Sequence, residues 1–148
     1  MSDMRELYQE IILDHNRQPR NCYVMDCANR TADGHNPLCG DTVKVYLRIE
    51  GGIIQEISFQ GSGCAICTAS TSLMTEAVKG KTVAEAEKMF EGFHHMLTGL
   101  AEEEGVELGK LQVFEGVREY PVRVKCATLA WHTLHAAMEG EDEPVTTE

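Results

Sequence analysis

Cys39-Gly40-Asp41, Cys64 and Cys126 lie in three separate stretches of the chain, each with its own local pattern, so only tertiary folding can bring them together. Three thiols and a carboxylate are a ligand set for a tetrahedral soft metal, or for iron and sulfur. A fold that uses them jointly must gather a turn entering a strand, a helix start and a helix interior around one point. The four residues alone leave open whether such a metal is structural, catalytic or part of a cluster under construction.

The rest of the composition narrows the class. A chain of 148 residues fits one domain with a core that needs no disulfide staples. A hydrophobic content of 43% with four prolines excludes wholesale disorder. A net charge of −11 argues against nucleic acid, whose phosphates would repel the surface. No apolar run approaches the roughly 18 residues of a membrane span, and Met1 to Glu10 has no apolar signal-peptide core. The expected location is therefore cytoplasmic, where six cysteines read as thiols or metal ligands.

Local patterns predict the elements. Met4 to Asn16 has helical periodicity, with Leu7, Tyr8, Ile11 and Ile12 on one face and Ser2 or Asp3 as cap. Cys22 to Thr31 is loose with some strand character, and Asp33 to Leu38 is rich in turn formers. Asp41 to Ile49 and Ile53 to Phe59 read as a hairpin closed by Gly51-Gly52. A helix is expected from about Cys64 to Val78. Another is expected from Thr82, with Glu85 completing a capping box, to about Leu100. Glu102 to Gly116 is acidic and reads as a surface insertion. A last helix spans Pro121 to Met138, with Val122, Cys126, Leu129, Ala130, Thr133 and Ala137 on one side. Residues 1–138 make one domain, and the acidic tail 139–148 is expected to be disordered.

Each candidate ligand has local chemistry. Cys39 and Asp41 are two apart where a turn enters a strand, so they project to the same side. Cys64 stands at a helix start, where unpaired amides and the helix dipole stabilise negative charge. Arg123 and Lys125 flank Cys126 and offset a cluster of anionic ligands. Scattered cysteines are usually core residues; Cys39 is different, because an Asn-Pro-x-Cys-Gly-Asp turn is a poor place for one. A carboxylate is a harder and more exchangeable ligand than a fourth thiolate, which makes Asp41 the expected point of opening.

These residues also resemble a known family. Asn36-Pro37-x-Cys39-Gly40-Asp41, then Gly61-x-Gly63-Cys64-Ala65-Ile66 with Ala69-Ser70, then Pro121 to Trp131 around Cys126 match three motifs of the IscU/SufU group in order. This is the group of NifU N-terminal-like iron–sulfur cluster assembly proteins, and the likeness runs from about Leu7 to Met138. Lys125 stands where IscU-type scaffolds usually carry histidine, and the insertion near Glu102 to Val117 is foreign to them. The Leu-Pro-Pro-Val-Lys segment that engages a dedicated chaperone is also absent. These departures point to the SufU branch.

The resemblance implies an α+β fold with a small antiparallel sheet of about three strands against helices. It implies that Cys39, Asp41, Cys64 and Cys126 bind Zn2+, and that Cys39 accepts persulfide sulfur from a SufS-type cysteine desulfurase, a pyridoxal-phosphate enzyme. Downstream assembly proteins or apo-proteins would receive it. The alternative implied by the same family is a scaffold on which a [2Fe-2S] cluster is built, with iron or a transient cluster in place of zinc; Lys125 favours sulfur transfer. A purely structural zinc module leaves Asp41 and the exposed Cys39 turn without a purpose.

Other tempting residues have plainer readings. Cys67 makes Cys64-Ala65-Ile66-Cys67 a CxxC that departs from the family pattern. It reads as a small buried helix residue, although a disulfide with Cys64 would disable a metal site. Cys22 and Cys27 are incidental thiols. His132 and His135 are spaced for a metal but read as an exposed helix face, as does the pair His94-His95. His35 reads as a solvent-facing turn residue, with a role beside the metal as the alternative. Trp131 and Met138 read as core or rim packing.

Overall fold

The computed structural model describes residues 2–37, 40–98, 108–140 and 145–146, with side chains described from residue 7 onward except at 118 and 146. The chain opens with α1 (Ser2–Arg17), followed by three strands, β1 (Arg30–Asn36), β2 (Asp41–Glu50) and β3 (Ile53–Ser62). Then come α2 (Ala65–Val78), α3 (Val83–Thr98), a 3-10 helix (Gly109–Glu119), α4 (Pro121–Glu139) and a two-residue β4 (Val145–Thr146). The sheet order is β3-β2-β1-β4; the first three strands are antiparallel and β4 runs parallel to β1. The expected α+β fold, with three antiparallel strands against helices, is what forms. Among the described residues no helix is long and apolar enough to cross a membrane.

The hairpin and the capping box form as read. Thr82 donates its amide to Glu85 Oε1 and accepts the Glu85 amide on its Oγ1, both at 3.1 Å, so two orphan amides at the start of α3 are satisfied reciprocally. On the inner face of the sheet, Val43, Val45 and Leu47 alternate with outward residues and pack with Ile57 and Phe59 under α2 and α4.

Four expectations need correction. The turn-rich stretch Asp33 to Asn36 is part of β1, paired with Asp41 to Lys44 of β2. Its glycine is used for closeness to a helix: a Cβ on Gly34 would lie 2.0 Å from Thr133 Oγ1, so the bare backbone lets α4 sit down on β1. The second half of the supposed surface insertion is core. Leu108, Leu111, Phe114 and Val117 recur every third residue, the period of a 3-10 helix, and all are buried; residues 102–107 lie outside the described residues.

The last helix is also more enclosed than a one-sided pattern implies. From Cys126 to Met138 only His132 and His135 are not buried, because β1, β2, α2 and the 3-10 helix all pack against α4. Trp131 is fully buried, as expected, and stacks between Phe90 and Phe93 at 6.3 and 5.2 Å between ring centres. Finally, in the tail expected to be disordered, Val145 and Thr146 pair with Gly34 and His35, since β1 presents an open edge to any nearby main chain.

Candidate metal centre

Asp41 is the first residue of β2 and lies on the strand's inward face, in step with Val43 and Val45, so its carboxylate is completely buried at the end of an apolar row. A buried carboxylate must be hydrogen-bonded, paired or bound to a metal. Oδ1 accepts the Cys64 amide N–H at 2.8 Å, and Oδ2 accepts Asn36 Nδ2 at 3.3 Å.

Cys64 is brought there by a second device. It is the N-cap of α2, with extended backbone (φ −73°, ψ 165°), and its Sγ accepts the Cys67 amide at 3.4 Å. Gly63 makes the approach possible, because a Cβ there would fall 2.3 Å from Asp41 Oδ1. The Cys64 sulfur comes to 3.9 Å from Asp41 Oδ2. Cys126 arrives from the interior of α4, fully buried, with its Sγ 3.5 Å from Asn36 Nδ2.

One ligand atom from each of Asp41, Cys64 and Cys126 therefore falls within 4.8 Å of the others, although the residues come from a strand, a helix cap and a helix interior. Donor atoms about 2.0–2.3 Å from a tetrahedral zinc stand roughly 3.5 Å apart. The donor set, two sulfurs and one oxygen with a fourth position to fill, fits that ion. Cys39 lies outside the described residues, but its flanking residues Asn36 and Asp41 are register partners at the end of the β1–β2 ladder.

Two expectations about the ligands change. Asp41, expected to be the point of opening, is as fully buried as Cys126 and is held by two donors. Asn36, which sequence reasoning used only as a motif letter, bridges Asp41 and Cys126 with one amide nitrogen and is itself fully buried. An asparagine directly before proline at a strand end was the available signal, since a side-chain amide there often caps its own turn.

The remaining candidates disperse. Lys125 is half-buried and Arg123 exposed at the start of α4. Cys67 is buried, as read, and Cys22 and Cys27 are exposed. His35 points to the outer face of β1, opposite Asn36, and is exposed. The face of His132 and His135 is only partly exposed: with His94 they surround Phe90, His132 at 5.1 Å between ring centres, and burial with the two neighbouring imidazoles holds the His132 pKa below its ordinary value. His135 turns instead towards Glu87, 3.6 Å away, with Glu139 beside it.

Comparison with known proteins agrees with this geometry. The family model of the NifU-like N-terminal domain matches residues 7–127. The chain is 36% identical to the zinc-dependent sulfurtransferase SufU of Bacillus subtilis (strain 168), over 95% of each chain. It is 35% identical to the iron–sulfur cluster assembly scaffold protein IscU of Streptococcus pyogenes serotype M1, over 94% of this chain and 87% of that one. The crystal structure of a candidate assembly scaffold for the SUF system, from Fervidobacterium islandicum AW-1, superposes with a TM-score of 0.83 at 38% identity. It covers 87% of this chain and 94% of that one.

Proposed function

The chain belongs to the family of NifU-like N-terminal domains, and we propose that within it this protein is a zinc-dependent sulfur acceptor of iron–sulfur cluster assembly. Sulfur would come from a cysteine desulfurase of the SufS type onto Cys39 and pass on to assembly proteins or apo-proteins. The observation that carries the reading is the convergence of Asp41, Cys64 and Cys126 within 4.8 Å, with Cys39 two residues from the buried Asp41. The likeness to a relative named as a zinc-dependent sulfurtransferase supports it.

Zinc, when bound, would keep the thiols that hold it deprotonated. Asp41, Cys64 and Cys126 are the residues to hold it, with Cys39 as the fourth. Asp41 begins β2, Cys64 caps α2 and Cys126 lies within α4, so regular structure sets those three positions. Release of Cys39, the sulfur acceptor of this reading, would leave those three in place.

The transfer is thiol exchange. The Cys39 thiolate attacks the outer sulfur of the desulfurase persulfide. A new S–S bond forms on Cys39, the donor's S–S bond breaks, and the donor cysteine departs as a thiolate. No net oxidation occurs.

The cluster-scaffold reading uses the same four residues and draws support from the IscU relative. One experiment separates the two: metal analysis of anaerobically purified protein beside a desulfurase stimulation assay. Sulfur transfer predicts tightly held zinc and stimulated desulfurase turnover that Cys39→Ala abolishes while the fold persists. A brown iron–sulfur chromophore, or normal stimulation by Cys39→Ala, would overturn the proposal.

A further inference from the structure

The N-terminus of α2 carries a second sulfur, Cys67, outside the Asp41–Cys64–Cys126 set found among the described residues. Cys64 caps the helix, and its Sγ accepts the amide of Cys67 at 3.4 Å, so the cap side chain folds back over the residue that bears the second thiol. Residues three apart at a helix start stand about 5 Å apart at Cα, inside the roughly 4.4–6.8 Å that a disulfide spans.

Exposure divides the two roles. Cys64 is half-buried and reachable from solvent, whereas Cys67 is 3% exposed behind it. An accessible sulfur with a resolving cysteine beside it is the arrangement of redox-sensitive thiols.

We propose that Cys64 and Cys67 form a redox-active dithiol, oxidised by hydroperoxides to a Cys64–Cys67 disulfide that withdraws Cys64 from the Asp41–Cys64–Cys126 set. The Cys64 thiolate attacks the terminal oxygen of the hydroperoxide. The O–O bond breaks, Cys64 becomes a sulfenic acid, and the departing alkoxide or hydroxide is protonated by water. Cys67 sulfur then attacks Cys64 sulfur; the S–S bond forms, the S–O bond breaks, and the leaving hydroxide takes the Cys67 proton as water. Two thiols lose two electrons in all, and the hydroperoxide is reduced to an alcohol, or to water if it is hydrogen peroxide. An external dithiol reverses the step by exchange. Over-oxidation of a site ligand to sulfinic acid, which such a dithiol does not reverse, is thereby avoided.

The disulfide stands on the α2 geometry alone; only its effect on metal rests on the function proposed above. The protein, apo and zinc-loaded, is treated anaerobically with several equivalents of hydrogen peroxide, alkylated, digested and mapped by mass spectrometry. A chromogenic chelator follows released zinc in parallel. The expected result is a dominant Cys64–Cys67 crosslink in both forms, zinc release in step with it, and recovery of thiols and zinc binding on addition of dithiothreitol. Cys67→Ser, with Cys67→Ala as a second variant, should leave Cys64 to reach sulfinic acid, so that dithiothreitol no longer restores zinc binding.

A dominant crosslink from Cys64 to Cys126 or Cys39, or equal sulfinic acid in wild type and both variants, would overturn the proposal. If the Cys64–Cys67 crosslink forms but the reduced protein takes up no zinc, the dithiol stands and the metal reading fails.

Discussion

Asn36 and Asp41 are register partners at the end of the β1–β2 ladder, and the Asn36 side-chain amide donates to Asp41 Oδ2 at 3.3 Å. The same nitrogen lies 3.5 Å from Cys126 Sγ, so one buried residue orients two of the three described ligands. Groups that orient metal ligands commonly contribute 10–100-fold to metal affinity. Asn36→Ala is expected to weaken zinc binding by about that factor, read by chelator competition, with the far-ultraviolet circular dichroism of wild type. Unchanged affinity would show that Asp41 and Cys126 are held without it.

Gly63 sets the approach of Cys64 to Asp41. A methyl group there would stand 2.3 Å from Asp41 Oδ1, and Cys64 N–H would lose its 2.8 Å bond to that atom as the pieces move apart. Gly63→Ala should cost about 1–3 kcal/mol in stability, the usual range for overpacking, and reduce zinc stoichiometry. Gly116→Ala is the control, because nothing lies within 4 Å of the added carbon. It should change the stability read from urea unfolding by no more than about 0.5 kcal/mol. Equal effects from the two substitutions would remove Gly63 from the site's construction.

What the sequence reveals of this fold is what is local. The Thr82–Glu85 box and the β2–β3 hairpin are written in residues close together, and both form. The identity of β1 is hidden because Gly34 reads as a turn former until α4 is known to lie against it. The three-residue recurrence of Leu108, Leu111, Phe114 and Val117 is masked by acidic neighbours. Motif and chemistry singled out Asp41, Cys64 and Cys126, and the fold brings them together, but their burial was not legible. Chemical hardness made Asp41 the exchangeable member, whereas its place at the end of the strand leaves it fully buried with two donors on its carboxylate. Cys39 lies outside the described residues, so its role rests on the family resemblance.

His15 gives the protein an acid sensitivity separate from the site. It is 2% exposed, with Nδ1 2.7 Å from Ser72 Oγ and Nε2 3.4 Å from Glu76. Ser72 Oγ also accepts the Arg20 amide at 2.8 Å, so the hydroxyl joins His15 to the start of the segment after α1. Burial, with Arg20 nearby, holds the His15 pKa below its ordinary 6.5, and burial does the same for His132.

For a base whose folded pKa is depressed, the unfolded chain binds more protons below pH 6.5. Stability from these two groups is therefore complete above that pH and lost as pH falls towards the folded values. Urea midpoints should fall between pH 7.5 and 5.5, and His15→Gln should flatten that fall while lowering stability at pH 7.5 by about 1–3 kcal/mol. A slope unchanged by the substitution would locate the sensitivity elsewhere.

The seat of α4 on β1 controls where Cys126 stands, and it can be tested by a pair of substitutions. A Cβ on Gly34 would meet Thr133 Oγ1 at 2.0 Å, with Leu129 Cδ1 at 3.1 Å and Thr133 Cβ at 3.3 Å. Gly34→Ala must therefore push α4 away from the sheet, at a cost of about 1–3 kcal/mol. Because Cys126 lies two turns before Thr133 on the same rigid helix, zinc affinity should fall with stability. Thr133→Ala removes the worst clash and leaves only the longer contacts. The double variant should recover part of both losses, with a coupling of about 0.5–3 kcal/mol from urea midpoints of the four-member cycle. Strict additivity would mean that the Gly34–Thr133 contact does not set the helix position; recovery of stability without recovery of zinc affinity would show that Cys126 is placed by Asn36 and α2 instead.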